Sequence, residues 1–185
     1  MPADGNREAT AASAMQRAET AEVDHLLRAD DGEWLAVGGL EVSFRVSGRD
    51  TDGAYSVSEY RVDPGRLIPP HTHSREREVS YVVEGDLGLR VGADEFVVPS
   101  GSFAVKPPDV PHALWNPGQH VVRVIEVISP PGFETYFQEL AEFYTAGTLP
   151  DPGLVASLRE RYGLTANPEW IPELKSKHQL RLLGE

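Results

Sequence analysis

Short apolar runs with a period of two dominate the middle of the chain. Between Trp34 and Pro131 they are separated by glycine, proline and aspartate. The runs are WLAVGG, LEVSFRVSG, AYSVSEYRVDPG, EVSYVVEG, DLGLRVG, EFVVPSG, SFAVKPP and VVRVIEVISPP. Alternation places successive side chains on opposite faces of a strand. Many short strands at such close spacing predict an all-β sandwich or barrel.

The same pattern assigns the faces of individual strands. Leu40, Val42 and Phe44 alternate with polar side chains, which predicts a strand with one buried and one solvated face. The run over 121–128 is more continuously apolar and is interrupted by two charged residues. A strand that is apolar on both faces is typical of a sheet interior, so this run is predicted to be an inner strand.

Beyond Pro131 the apolar period becomes helical. The spacing predicts an amphipathic helix over 133–146 and a second over 152–162, with Asp151 as N-cap of the second. Asn167 and a following proline repeat this start signal for a short third turn. The apolar positions of the first helix are Phe133, Tyr136, Phe137, Leu140, Phe143 and Tyr144. Such stripes require a surface to cover, and the outside or one mouth of the β-domain provides it.

These patterns divide the chain into three parts. Residues 1–22 are mostly alanine, threonine, serine and charged residues, which cannot offset the entropy of ordering, so they are predicted to form a flexible N-terminal leader. Residues 23–131 are predicted to form the β-barrel. Residues 132–185 are predicted to form a C-terminal helical extension packed on that barrel.

Composition excludes several classes of function. The 185 residues contain no cysteine, so disulfides, thiolate metal sites and thiol nucleophiles are absent, and any metal must be bound by His, Asp or Glu. A net charge of -12 argues against binding nucleic acid or an anionic membrane. No apolar run approaches the roughly 18 residues of a membrane-spanning helix, and the N-terminus does not have the pattern of a secretory signal. We therefore expect a cytoplasmic protein.

The most informative chemistry lies just after two prolines, where His71 and His73 stand two residues apart. On a strand this spacing directs both imidazoles to one face. Glu78 opens the next extended run and faces the histidines if the two strands are antiparallel neighbours. Glu76 is the competing carboxylate but lies inside the intervening turn, so it ranks second and its substitution by Gln is expected to do little. A pair of surface histidines on an edge strand is the alternative interpretation.

His112 is the candidate fourth ligand. It ends the proline-rich stretch KPPDVPH, and a stiff backbone lowers the entropy lost when a ligand is fixed in place. A half-buried histidine in a proline-rich loop is the alternative. The remaining histidines, His25, His120 and His178, are predicted to be ordinary surface residues because they lie in tail, turn or helical segments.

Two motifs carry a resemblance to a known family. The first is Gly65-x5-His71-x-His73-x4-Glu78-x6-Gly85, and the second is Gly101-x5-Pro107-x-Asp109-x2-His112-x3-Asn116. Together they resemble the two motifs of the cupin superfamily. Asp109 stands where the second motif usually has glycine. Because aspartate tolerates positive φ better than most residues, the turn is expected to survive.

The resemblance implies a cupin double-stranded β-helix, or jelly-roll barrel, holding one divalent transition metal inside. The implied ligands are His71, His73, Glu78 and His112. Three imidazoles and a carboxylate suit Fe, Mn, Co, Ni, Cu or Zn, and the donor set does not choose among them. On the same resemblance we expect a homodimer.

The chain is also similar to the monocupin quercetinases, the quercetin 2,3-dioxygenase group, including the segment PPGFETYFQEL. This similarity implies a dioxygenase that cleaves a flavonol or similar enolisable aromatic with dioxygen, with Glu78 both as ligand and as catalytic proton acceptor. The candidate pocket residues, which are equally candidates for barrel core, are Tyr60, Tyr81, Phe103, Leu114 and Trp115. The alternatives are a non-redox cupin, such as an isomerase or an aromatic polyketide cyclase, and a metal-bearing small-molecule binding protein.

Overall fold

A computed structural model describes residues 26–28, 31–144 and 150–185. The chain divides into a unit of residues 1–30 and a unit of residues 31–185. In the first unit only 26–28 are described, and they have no regular secondary structure. The predicted leader, residues 1–22, and His25 lie outside the described residues. All elements below belong to the second unit.

The prediction of an all-β domain is confirmed, and its strands form two sheets. The first sheet has the order β1-β2-β3-β10-β5-β8. Its strands are β1 (Leu35–Ala36), β2 (Leu40–Val46), β3 (Ser56–Val62), β5 (Arg77–Glu84), β8 (Phe103–Lys106) and β10 (Val122–Ser129). β10 pairs antiparallel with both β3 and β5. The run over 121–128 is therefore an inner strand, as its apolar pattern predicts.

The second sheet is formed by β4, β6, β7, β9, β11 and β12. These strands are β4 (Arg66–His73), β6 (Asp86–Val91), β7 (Asp94–Pro99), β9 (His112–Trp115), β11 (Leu164–Ala166) and β12 (Arg181–Leu182). The order is β11-β4-β9-β6-β7, with β12 parallel to β4. The C-terminal segment therefore contributes two short strands to the barrel in addition to its helices.

The condition under which Glu78 was expected to face the histidines, that β4 and β5 are antiparallel neighbours, is not met. β4 lies in the second sheet beside β9, and β5 lies in the first sheet between β10 and β8. The turn over 74–76 thus carries the chain from one sheet to the other. Glu78 reaches the histidines across the barrel interior, where inward side chains of two packed sheets interdigitate.

Three α-helices are described: α1 (Phe133–Phe143), α2 (Pro152–Arg161) and α3 (Ile171–His178). α1 and α2 begin where the sequence places them; α1 ends three residues earlier than predicted, and 145–149 are not described. Asp151 caps α2 by accepting hydrogen bonds from the backbone N–H groups of Gly153 and Leu154. Short 3-10 helices occupy Gly48–Thr51 and Pro168–Trp170.

The helices cover two different surfaces. The buried side chains of α1 and α2 join the core between the two sheets, where Phe137 packs against the rings of Phe44 and Tyr60. α3 instead covers the outside of the second sheet, where Leu174 joins a separate cluster with Trp115. α1 and α2 therefore close the mouth of the barrel. Within the described residues, no helix combines the length and apolar character that crossing a membrane requires.

Candidate metal centre

Both sheets contribute side chains to one cluster inside the barrel. His71 and His73 lie at the end of β4, and His112 begins β9 directly opposite His71 in the antiparallel register. Glu78 is the second residue of β5 in the facing sheet. His73, Glu78 and His112 are buried and His71 is half-buried. The structure therefore brings together all four residues that the sequence nominates.

The potential ligand atoms of these four side chains all lie within 4.8 Å of one another. The Nε2 atoms of His71 and His73 are 3.1 Å apart. Oε2 of Glu78 lies 3.0 Å from Nε2 of His112, and Oε1 of Glu78 lies 3.5 Å from Nε2 of His73. Four nitrogen and oxygen donors at such separations suit a single ion of moderate size.

The outer nitrogens of the three imidazoles determine their tautomers. Nδ1 of His71 lies 2.7 Å from the carbonyl oxygen of Pro69, and Nδ1 of His112 lies 3.3 Å from that of Val110. Nδ1 of His73 faces Oε2 of Glu76 at 3.4 Å. A carbonyl oxygen can only accept, so Nδ1 carries the proton in the neutral rings of His71 and His112. The Glu76 carboxylate favours the same tautomer of His73 through its charge, although the contact does not have hydrogen-bond geometry. All three Nε2 lone pairs consequently point inward.

Three inward lone pairs and a carboxylate form a donor set that one cation can satisfy at once, whereas one proton can join only two of the four atoms. Two unprotonated nitrogens 3.1 Å apart cannot bond to each other. Oε2 of Glu78 and Nε2 of His112 are buried and have no hydrogen-bond partner of acceptable geometry among the described residues. The donor set, and the outer oxygens that lie beside each imidazole, match the pattern of histidine metal sites.

The protonation state of the cluster also favours a metal. Desolvation lowers the pKa of His71 well below its ordinary value, and the neighbouring His112 and His73 lower it further. Desolvation likewise lowers the pKa of His112, although Glu78 opposes it. Burial opposes ionisation of Glu78, but Lys106 and His73 outweigh it and hold the pKa of that carboxyl well below its usual range. Neutral imidazoles and an ionised carboxylate are the forms that bind metal.

A buried lysine beside Glu78 was not nominated from the sequence. Nζ of Lys106 lies 3.2 Å from Oε2 of Glu78 and 2.8 Å from Oε1 of Glu126, and Ser80 donates a hydrogen bond to Glu126. Burial raises the pKa of Glu126 to about 7, against the effect of Lys106. The carboxylates, in turn, outweigh burial and raise the pKa of Lys106. The alternation along the sequence did contain a signal for this buried pair, because Lys106 and Glu126 occupy the inward-facing positions of their strands.

Glu76 has a larger role than the sequence suggests. Its carboxylate is not one of the four clustered donors, which agrees with its second rank. However, its side chain is buried, and it lies beside Nδ1 of His73. The turn folds inward at this point, so the Glu76 carboxylate lies against the His73 ring at 3.4 Å, without the geometry of a hydrogen bond. The expectation that its substitution does little is therefore revised: we now expect weaker metal binding.

The proline-rich loop holds the site from the other side. Asp109 has φ 61°, so it adopts the left-handed conformation for which related motifs use glycine. Its backbone N–H donates a 2.8 Å hydrogen bond to the carbonyl oxygen of His73. The turn therefore survives with aspartate, as predicted, and ties the loop before His112 to the end of β4.

The candidate pocket residues separate into three groups. Tyr60 and Leu114 line a cavity of about 30 Å³ that also contacts His71, His73 and Glu78. Tyr81 and Phe103 do not line it, because they contact each other on the outer face of the first sheet, where Phe103 is 69% exposed. Trp115 is buried in the cluster under α3. The alternation could have separated Tyr81 and Phe103, since they lie in the phase opposite to Glu78 on β5 and to Lys106 on β8.

The two other histidines that the structure describes, His120 and His178, lie away from the site. His120 is exposed in the turn before β10, as predicted. His178 differs from an ordinary surface histidine, because it stacks on Trp115 and its Nε2 lies 2.8 Å from Oε1 of Glu95. It anchors the end of α3 on the outside of the second sheet.

The fold is a jelly roll of two sheets, and three histidines and a glutamate converge inside it. These features define the class of β-barrel proteins that have a candidate metal site in the barrel interior. The sequence model for the Cupin domain matches residues 58–128, which include all four clustered residues. Residues 58–128 therefore form a cupin domain, and the fold of the described residues is that of the cupin barrel.

Two curated relatives and one solved structure illustrate its range. The chain is 25% identical over 128 residues to quercetin 2,3-dioxygenase of Bacillus subtilis, covering 69% of this chain and 38% of the relative. It is 30% identical over 140 residues to nectarin-1 of Nicotiana plumbaginifolia, covering 72% of this chain and 57% of the relative. The chain thus spans about half or less of these relatives. The structure of KdgF from Halomonas sp. matches with a TM-score of 0.54 and 20% identity, over 60% of this chain and 98% of that chain.

Proposed function

We propose that this chain is a metal-dependent dioxygenase that cleaves a flavonol or a similar enolisable aromatic small molecule. The observation that carries the proposal is the convergence of three imidazoles and a carboxylate on one point, beside a cavity whose lining is mostly apolar. Apolar walls with a few convergent polar groups are typical of a small-molecule site. The similarity to quercetin 2,3-dioxygenase supports this reaction class.

The residues have distinct roles in this proposal. His71, His73, Glu78 and His112 would hold one divalent transition metal, which supplies Lewis acidity and brings a bound enol and dioxygen together. Glu78 also accepts the proton of the substrate hydroxyl. Lys106 restrains Oε2 of Glu78 at 3.2 Å and keeps the carboxylate ionised. The apolar side chains of α1 exclude water from the cavity.

Dioxygen consumption tests the reaction class. Protein loaded separately with Fe, Mn, Co or Ni is mixed with flavonols and other enolisable aromatics, and dioxygen uptake is recorded with an electrode. We expect uptake with at least one metal and substrate pair, and none with apoprotein. Binding of these compounds without uptake under any metal would contradict the dioxygenase and favour a non-redox cupin or a binding protein. Elemental analysis of protein purified without added metal identifies the native ion.

Replacing Glu78 with Gln separates its two roles. The amide oxygen still faces the metal position, so we expect the variant to retain part of its metal, with affinity reduced about 10- to 100-fold. Proton acceptance is lost, so turnover per bound metal is expected to fall by about 100-fold or more. The measurement compares metal content with rate at saturating metal. Equal turnover per bound metal would show that Glu78 is a ligand without a base role.

The homodimer stays a prediction. The outer face of the first sheet carries a row of valines directly opposite one another across four strands. They are Val57, Val127, Val79 and Val105. Phe103 and Tyr81 lie beside this row, and apolar patches of this kind mark association surfaces. A second copy of the chain is the proposed occupant, and light scattering tests it.

A further inference from the structure

Three arginines line the cavities at the helical mouth of the barrel, and only one of them lacks an acidic partner there. Arg75 forms an ion pair with Glu76 at 3.4 Å, and Arg161 forms one with Glu139. Arg159, on α2, forms no ion pair within the part of the chain that the structure describes. Its guanidinium instead lies beside the phenol of Tyr136, whose pKa burial raises against the effect of this positive charge. A guanidinium has five N–H donors, so this contact leaves most of them available.

Arg159 stands where an outer groove meets the interior. A groove of about 430 Å³ is lined by Arg159 and by all of β11, which begins at Leu164. A cavity of about 50 Å³ behind it is lined by Arg159, Leu164 and His71. His71 also lines the innermost cavity, together with His73 and Glu78 of the clustered donors. The three spaces therefore form a series that leads past Arg159 to the metal position.

Among the residues that the structure describes, the middle cavity has a cation and no balancing anion. Its lining includes Arg159 and His71, and the remaining residues are apolar or aromatic. The lining residues other than these two are Leu40, Ile68, Pro69, Tyr136, Phe137, Leu164 and Leu183. Glu160 lines only the outer groove. A half-buried guanidinium in such surroundings is best stabilised by a planar anion that accepts two parallel hydrogen bonds.

We propose that Arg159 binds the carboxylate of the substrate and thereby directs its hydroxyl groups toward the metal position next to His71. The inference rests on the proposed function and narrows its substrate class to hydroxylated aromatic acids. The middle cavity exceeds the roughly 30 Å³ that one water occupies in the liquid, so it accommodates a carboxyl group. An aromatic ring requires Tyr136 and Phe137 of α1 to move outward.

Binding to the Ni-loaded protein without oxygen tests this role independently of turnover. Titration calorimetry compares catechol with 2,3-dihydroxybenzoate and 3,4-dihydroxybenzoate. We expect at least one acid to bind the wild type about 10-fold or more tightly than catechol, as a charge-assisted hydrogen-bonded pair implies. In Arg159→Gln this preference should fall to about 2-fold, while catechol affinity changes little. Arg159→Lys should retain part of the preference.

Two further variants separate recognition from structural support. Arg161→Gln removes a neighbouring guanidinium that already has a carboxylate partner, so the preference for acids should persist. Tyr136→Phe removes the phenol hydroxyl beside Arg159 and retains the charge of the guanidinium, so the preference should persist there too. Equal binding of acids and catechol to the wild type, or an equal loss of both in Arg159→Gln, would overturn the proposal. Dioxygen uptake with neutral flavonols alone would overturn it and leave the proposed reaction standing.

Discussion

Replacing His112 with alanine is expected to abolish stable metal binding and leave the barrel folded. His112 contributes one of the four donors, and its Nε2 is buried beside Oε2 of Glu78. Losing an orienting contact to a ligand already costs about 10- to 100-fold in metal affinity, so losing the ligand itself should cost more than about 100-fold. The barrel persists because its main core between the sheets is formed by apolar side chains and does not include His112.

Metal content after dialysis, measured by elemental analysis, checks this expectation, and circular dichroism checks the fold. His120→Ala is the matched control, since His120 is exposed in a turn outside the site. The control should keep the metal content of the wild type. A His112→Ala protein that retains full metal would contradict the ligand assignment, and the same comparison applies to His71→Ala.

Replacing Lys106 with methionine is expected to cause the largest loss of stability. The Lys106 side chain is 1% exposed and holds two carboxylates, those of Glu78 and Glu126. Removing the ammonium leaves both acids buried without their shared counter-charge. Breaking a buried ion pair in this way costs about 3–5 kcal/mol in free energy of unfolding. Urea denaturation of the metal-free protein measures the loss without compensation from a bound cation.

A surface pair and a double variant provide the controls. Lys175→Met removes a partly exposed partner of Glu185 and should change the free energy of unfolding by less than about 1 kcal/mol. Adding Glu126→Leu to Lys106→Met removes one of the two uncompensated acids, so the double variant should recover part of the loss. If Lys106→Met costs no more than the surface control, the Lys106 pairs do not stabilise the barrel.

Local spacing was sufficient to nominate the ligands, and the reason is geometric. His71 and His73 share a face because any strand has a period of two. The positive φ of Asp109 follows from the turn that the second motif requires. These features depend on a few neighbouring residues, so they can be derived without knowing how the sheets pack.

The position of Glu78 required the tertiary structure, although the residue itself was predicted. Treating β4 and β5 as neighbours gave the right partner for the wrong reason, because the turn between them joins facing sheets. The same crossing buries Glu76 against His73. Strand pairing is a non-local property, and a local pattern cannot distinguish a hairpin from a connection between sheets.

By itself, the sequence determined the all-β class, the inner position of the run over 121–128, the starts of α1 and α2, and the four clustered side chains. Only the tertiary structure decided that Lys106 and Glu126 form a buried network beside Glu78, and that Arg159 lies between an outer groove and His71. The physical reason is the distance along the chain over which each interaction acts. Periodicity and turn chemistry act over a few residues, whereas burial and charge pairing depend on which distant segments the closed barrel brings together.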